Sequence, residues 1–253
     1  RALVRAKVAA MTASQKAPDS AERDVERRRA MASVHLAVSY QLPPSLVLMC
    51  GLPASGKSWL AERLAKPFEA RVLRSDVVRK QLAGLHPTAR PSPEEAERLY
   101  SKESSDSLYD FMAQRAFHLL CSGRSVVVDA TFSRTAQRRR FLDVARRLGY
   151  PATVVRVHCS EDVIRERMKE RAARRSRAQA GAQGEVSDAD WDVYTRLAET
   201  FEDPSELHSS LCLRYVSGGD VDACLSGLMA SFIAQEATQG SEGPFRSPSA
   251  HQP

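Results

Sequence analysis

Ser45-Leu46-Val47-Leu48-Met49-Cys50-Gly51-Leu52-Pro53-Ala54-Ser55-Gly56-Lys57-Ser58 decides the fold. Its first six residues are an apolar run of strand length, as expected of a parallel strand covered on both faces. The next eight match G-x-x-x-x-G-K-[ST], a loop whose backbone N–H groups curl around phosphate oxygens. Gly51 and Gly56 permit that curl, Lys57 on an exposed loop tip reaches the β and γ phosphates, and the Ser58 hydroxyl ligates magnesium. A helix over Trp59 to Ala65, closed by Pro67, adds the positive potential of its N-terminus. Gly51, Leu52, Pro53, Ala54, Ser55, Gly56, Lys57, Ser58 and Trp59 are thus the expected ATP contacts. The bland reading is a glycine turn with a chance lysine; the strand before it and the amphipathic helix after it argue against that.

Strand and helix alternate downstream. Arg71 to Arg74, Val126 to Val128, Thr153 to Cys159 and Leu211 to Val216 read as further strands. Between them lie helical spacings over Pro93 to Cys121 (stopped by Gly123), Gln137 to Leu148 (stopped by Gly149) and Glu161 to Arg177. Ser187-Asp188-Ala189-Asp190 signals a helix to about Phe201, and Val221 to Ala234 is the last helix. Five strands joined by helices imply a parallel, doubly covered α/β sheet with right-handed crossovers. Upstream, residues 1–42 read as a helical N-terminal extension in two pieces, the second starting behind Ser20 and ended by Pro43-Pro44. Residues 43–234 form the main domain. The polar stretch 235–253 is expected to be a disordered tail.

Two carboxylates and a set of arginines carry the remaining chemistry. Asp129 closes its strand beside the loop, where it can hold the magnesium water shell or merely cap a turn. Asp76, just past the second strand, faces the same crevice, because ligands gather at the carboxyl ends of strands in open α/β sheets. It can accept a proton from an attacking hydroxyl or cap the following helix, and spacing leaves these level. Arg165, Arg167, Arg171, Arg174 and Arg175 form either a solvated helix face or the charge of a lid over the migrating phosphoryl group. The small residues from Ala178 to Gly184 suit such a lid. The six histidines show no metal-ligand spacing, and each reads as structural or exposed.

Composition sets the outer limits. The 253 residues, 43% hydrophobic and 27% charged, suit one sizeable α/β domain with extensions, and no apolar run is long enough to span a bilayer. Five scattered cysteines without a Cys-x-x-Cys pair fit reduced thiols in a cytoplasm better than a disulfide framework. The first residue is Arg1, which points to a piece of a longer product; its basic, acid-free start reads as a truncated helix or a transit peptide. The net charge of +6 is concentrated from Arg134 to Arg177, with fourteen Lys or Arg against five Asp or Glu. Such a stretch suits nucleic acid or a phosphate-rich small substrate, and the scarcity of aromatic residues among the arginines is compatible with the second.

With those residues in hand, the chain resembles the zeta-toxin-like branch of P-loop kinases, which in turn is similar to phage polynucleotide 5′-kinase and chloramphenicol phosphotransferase. The resemblance covers roughly Leu46 to Leu228. It rests on Gly51 to Ser58, on Ser75-Asp76-Val77-Val78-Arg79-Lys80-Gln81-Leu82 and on Val127-Val128-Asp129-Ala130-Thr131-Phe132. Arg138, Arg167-Met168-Lys169-Glu170-Arg171 and Ser187-Asp188-Ala189-Asp190 follow at matching spacing. The resemblance implies a P-loop NTPase three-layer fold with strand order 2-3-1-4-5 and an arginine-bearing lid. It implies Asp76 as general base, Arg79, Thr131 and Arg138 as substrate contacts, Ser58 and Asp129 as magnesium ligands, Lys57 of the loop as a catalytic residue, and Arg171, alone or with Arg174 or Arg175, as the catalytic charge of the lid. Phe132-Ser133-Arg134 departs from the zeta-toxin pattern, so that family's nucleotide-sugar substrate does not transfer. The order of elements also resembles the ATP-binding half of bifunctional aminoglycoside phosphotransferase/ATP-binding proteins, with Arg1 to Ala10 similar to the closing helix of their other half.

The leading expectation is therefore ATP- and magnesium-dependent phosphoryl transfer to a hydroxyl of a small molecule. The alternatives are a polynucleotide 5′-kinase and a non-catalytic ATP-binding module of a larger enzyme.

Overall fold

The helices are α1 (Ala2–Ser14), α2 (Ala21–Ser39), α3 (Lys57–Ala65), α4 (Ser75–Leu82), α5 (Pro93–Leu99), α6 (Lys102–Cys121), α7 (Thr135–Leu148), α8 (Glu161–Arg177), α9 (Trp191–Glu199) and α10 (Val221–Gln239). They surround a single sheet of β1 (Leu46–Cys50), β2 (Arg71–Arg74), β3 (Val126–Asp129), β4 (Ala152–His158) and β5 (Cys212–Val216). This is a computed structural model, and it describes residues 1–89, 91–177, 189 and 191–239.

All strands are parallel, in the order β2-β3-β1-β4-β5, so the central β1 carries the phosphate-loop motif at its carboxyl end. Leu46 pairs with Val126 on one side and Ala152 on the other, and Met49 lies opposite Asp129. All five β1 residues are buried. Their alternation divides the core in two. Leu46, Leu48 and Cys50 join Val126, Val128 and Val154 against Leu108, Met112 and Leu120 of α6 and Phe141 of α7. Val47 and Met49 join Val127, Val155 and Val157 against Leu60 and Leu64 of α3 and Leu228 and Phe232 of α10. Each large apolar side chain so buried contributes about 1.5–3 kcal/mol, so helix packing on both faces holds the loop's supporting strand.

Local signals account for most helix ends. Ser20 caps α2 by accepting the Arg23 N–H at 3.2 Å, and Gly149 ends α7 in the left-handed region. The single helix expected from Pro93 to Cys121 is instead two. Ser92 and Glu95 form a capping box for α5, and Ser101 caps α6 by accepting the Ser104 N–H at 3.2 Å. At the break, the Leu99 carbonyl is taken by the Arg79 guanidinium and by the Ser104 hydroxyl, groups that no helical periodicity announces.

Two further differences concern the ends. The last helix passes Ala234 and runs to Gln239, so the start of the expected disordered tail is helical. Gln235 is held there: its amide donates to the Ala152 carbonyl at 3.1 Å and accepts the Ala152 N–H at 3.0 Å. The N-terminal extension forms a hairpin in which Ala6, Ala9 and Ala13 of α1 are buried. α2 seats on α10, where the buried His35 Nε2 lies 3.0 Å from the Ser226 hydroxyl.

Candidate functional site

The loop after β1 is shaped for close approach. Gly51 has φ +155, and a Cβ there would come within 2.5 Å of the Val157 carbonyl oxygen, so only glycine fits. Gly56 takes φ +96 as the N-cap of α3, while Ala54 holds φ +59 without being glycine. Ala54 is held in place: Arg167 Nη1 of α8 donates to its carbonyl at 3.1 Å and to the Ser217 hydroxyl at 3.0 Å. On the other side, the Gly51 N–H donates to the Thr131 carbonyl at 3.1 Å. The Ser55 hydroxyl is buried without a hydrogen-bond partner, which inside a protein calls for an explanation. An unsatisfied hydroxyl in a glycine-lined turn at a helix N-terminus fits a polyphosphate chain.

Lys57 starts α3 half-buried rather than on an exposed tip, and its ammonium donates to the Leu52 carbonyl at 2.7 Å. Burial lowers its pKa below the usual lysine range; the negative charges of Asp129 and Asp76 oppose that shift and Arg171 reinforces it. Asp76, Asp129 and Arg171 therefore all lie within electrostatic reach of Lys57.

They line one crevice of about 1730 Å³, together with Ser58, Trp59, Arg79 and Thr131. A single small ligand typically occupies a pocket of about 300–1,000 Å³, so the crevice has room for two. Asp129 is buried at the end of β3, with Arg74 Nε 3.7 Å from its Oδ2. Ser58 and Asp129 are hard oxygen donors of the crevice wall that could hold magnesium. Asp76 does not cap α4: the cap position is Arg74, and Asp76 sits inside the first turn with its residue lining the crevice. Arg79 is buried with its guanidinium over the Tyr100 ring at 4.7 Å, and it donates to the Leu99 carbonyl and to Ser105 Oγ at 3.3 Å. Trp59 is half-exposed under the Arg63 guanidinium, 3.6 Å from the ring centroid.

Arg138 corrects the expectation of a substrate contact. It is fully buried and absent from the crevice wall, and all of its donors are engaged by protein. Nη1 donates to the carbonyls of Phe132 and Glu202 (both 2.8 Å), Nε to Glu206 at 2.8 Å, and Nη2 to the Thr135 hydroxyl at 2.9 Å. The motif match locates this residue beside the site, not in it.

The expected lid stretch from Ala178 to Gly184 lies outside the described residues, as does nearly all of the Ser187 to Asp190 signal; of Arg174 and Arg175 only the helical backbone is described. The flanks of that stretch bear on the phosphate loop: Ala54 packs with Ile164 and Met168 of α8 and Tyr194 of α9. Sequence reading overlooked Arg74, Arg156 and the bracing role of Arg167. Two signals were there to find: Arg167 precedes Arg171 by one helical turn, and Arg156 interrupts a run of valines, Val154, Val155 and Val157.

This sheet order and this loop define a P-loop NTPase domain of kinase-like architecture. The chain belongs to the AAA domain family, whose model matches residues 46–201. Among curated proteins it is 33% identical over 204 residues to the uncharacterized proteins Rv2004c of Mycobacterium tuberculosis and Mb2027c of Mycobacterium bovis, matching 78% of this chain. The matched region spans 39% of the length of those relatives. Among solved structures, a gluconokinase from Sinorhizobium meliloti aligns with a TM-score of 0.50 at 20% identity, covering 80% of this chain and 99% of that one. The Mycobacterium tuberculosis APS kinase, in complex with AMPPNP and APS, aligns at 0.51 and 17% identity over 75% and 98% of the two chains. Kti12 of Chaetomium thermophilum, in complex with ADP-AlF3, aligns at 0.54 and 16% identity over 74% and 98%. These likenesses concern the fold.

Proposed function

We propose that the chain transfers the γ-phosphoryl group of ATP to a hydroxyl of a small molecule. The carrying observation is that Lys57, Ser58, Asp76, Asp129 and Arg171 line one crevice large enough for nucleotide and acceptor together. Kinase-like neighbours, one with AMPPNP and APS, support that reading.

In this reading Lys57 exchanges the Leu52 carbonyl for phosphate oxygens, and the backbone N–H groups from Gly51 to Ser58 with the Ser55 hydroxyl orient the phosphates. Asp76 takes the proton from the acceptor hydroxyl as its oxygen bonds to the γ-phosphorus; the bond from that phosphorus to the β–γ bridging oxygen breaks, and ADP leaves. Arg171 offsets the charge on the migrating group. Thr131 and Arg79 are the proposed substrate-side residues, Arg79 chiefly by holding the Tyr100 ring at the wall. Magnesium on Ser58 and Asp129 would supply charge neutralisation at the phosphates.

Labelled ATP offered with a panel of sugars, nucleosides, antibiotics and oligonucleotides tests the proposal, with Lys57→Ala as the control. Transfer by the parent and its loss in a folded Lys57→Ala protein are expected. Magnesium-dependent nucleotide binding without transfer to any acceptor would leave a non-catalytic module. A polynucleotide kinase is the second reading, favoured by the exposed Arg134 and Arg139, which flank crevice-lining Ser133 and Gln137 in the sequence. Oligonucleotide binding that does not weaken as salt rises would discard it.

A further inference from the structure

The buried guanidinium of Arg138 joins two stretches of chain that border the same crevice. One is the turn after β3. Asp129, Ala130, Thr131 and Ser133 line the crevice, and Phe132 among them is fully buried with φ +49, a left-handed conformation that a bulky residue rarely adopts. Such a conformation persists only when its surroundings impose it. Here both backbone groups of Phe132 are held: its N–H donates to the Tyr109 hydroxyl at 3.2 Å, and its carbonyl accepts from Arg138 at 2.8 Å.

The other stretch follows α9, whose Val193, Arg196, Leu197 and Glu199, with Thr200, line the same crevice. The chain there reads Phe201-Glu202-Asp203-Pro204-Ser205-Glu206. Arg138 takes the Glu202 carbonyl and the Glu206 carboxylate, the latter at 2.7 Å from Nη2. Around that clasp the Glu202 N–H donates to the Ser133 carbonyl at 2.8 Å, and the Glu202 carboxylate accepts the Thr135 N–H at 2.6 Å. Arg156 fixes the next residue through Asp203 at 2.9 Å and lies 4.4 Å from the Phe201 ring centroid.

We infer that Arg138 is a positioning residue, which sets the spacing between the Asp129–Thr131 turn and the wall formed by α9. Its consequence for catalysis rests on the kinase reading above; its consequence for the two stretches does not. One guanidinium fork spans both because its three nitrogens point to acceptors on three different segments, a geometry that a lysine ammonium cannot reproduce.

The test compares the full chain with Arg138→Lys and with Glu206→Gln, the second keeping shape while removing one charged arm. Hydrogen–deuterium exchange is followed in peptides covering 129–133, 199–206 and, as a reference, 57–65. In Arg138→Lys the first two peptides should exchange together about tenfold faster, the factor expected from loosening hydrogen bonds of ordinary strength, with the reference unchanged. Glu206→Gln should move both in the same direction by less, and it carries the test alone if Arg138→Lys does not fold. AMPPNP binding is then titrated with Mg2+. The half-saturating magnesium concentration should rise by about tenfold in Arg138→Lys, as for other groups that orient a metal ligand, while magnesium-free AMPPNP affinity stays put. Loosening of only one stretch, equal loosening of the reference, or an unchanged magnesium midpoint would overturn the inference. A parent protein that binds no AMPPNP would sink the kinase reading and leave the exchange result to decide this one.

Discussion

Arg74 and Asp129 are partners on the last rung of the β2–β3 ladder, with the guanidinium Nε 3.7 Å from the carboxylate Oδ2. Asp129 is nearly buried, while about a third of the Arg74 side chain remains exposed. The carboxylate thus has a cation beside it on its own sheet, and its charge also acts on Lys57 at the start of α3.

Asp129→Asn keeps the shape of that residue and removes its charge. Magnesium-dependent AMPPNP binding should weaken by about tenfold or more, in line with damage to a metal-orienting group. Magnesium-free binding should hold or tighten slightly, because Lys57 loses a competitor for its charge. Calorimetric titrations with and without magnesium separate the two effects; equal losses in both would take Asp129 out of metal binding.

Asp76→Asn addresses the proposed base. The transfer rate should fall by a factor of about a hundred to ten thousand, with nucleotide affinity within a few-fold of the parent. Since Asp76 lies inside the first turn of α4 rather than at its cap, the helix should lose only the modest attraction between a carboxylate and its N-terminus, about 0.3–1 kcal/mol. Single-turnover transfer with an intact rate would remove Asp76 from the mechanism.

His35 should make docking of the N-terminal hairpin sensitive to pH. Burial lowers its pKa, and Asp222, 3.9 Å from Nδ1, offsets this only in part. The folded chain therefore prefers the neutral ring, while the unfolded chain takes up a proton near the ordinary value of about 6.5. The stabilisation is complete above that value and declines as pH falls through it toward the folded-state pKa. Melting temperatures between pH 7.5 and 5.5 should drop more steeply for the parent than for His35→Gln. Parallel slopes would acquit His35.

Gln235→Ala breaks both hydrogen bonds to the backbone of Ala152. At about 0.5–1.5 kcal/mol each, the loss should lower the melting temperature by several degrees. A disordered tail from residue 235 onward, as expected from the sequence, would predict no such loss. A melting temperature within one degree of the parent would restore that expectation.

The contrast between Gln235 and Lys57 explains what could be read from the sequence. The apolar strand and Gly51 to Ser58 form one continuous stretch, and their geometry follows from residues next to one another. Burial on both faces of β1 was legible for the same reason. Gln235, by composition, belongs with a polar tail; its partner is the backbone of Ala152, far away in sequence. Arg79 divides α5 from α6, and Arg138 turns away from the crevice, through acceptors that also lie well outside any local window, 20 and 64 residues away. Asp76 and Asp129 were placed because both follow strands of a parallel sheet, where ligands collect. No local pattern distinguishes a buried arginine that braces a wall from one that touches a substrate.

The central position of β1 also sets an order of events during synthesis. Leu46 to Cys50 leave the ribosome well before Val126 and Ala152, with which Leu46 pairs on either side. At about 5–20 residues per second, several seconds separate the appearance of this strand from that of its neighbours. Through that interval a wholly apolar Leu-Val-Leu-Met-Cys segment has no sheet to join. A translational pause between Cys50 and Val126 would lengthen the exposure and favour aggregation of nascent chains, whereas a pause after β4 has emerged from the ribosome would find β1 flanked on both edges.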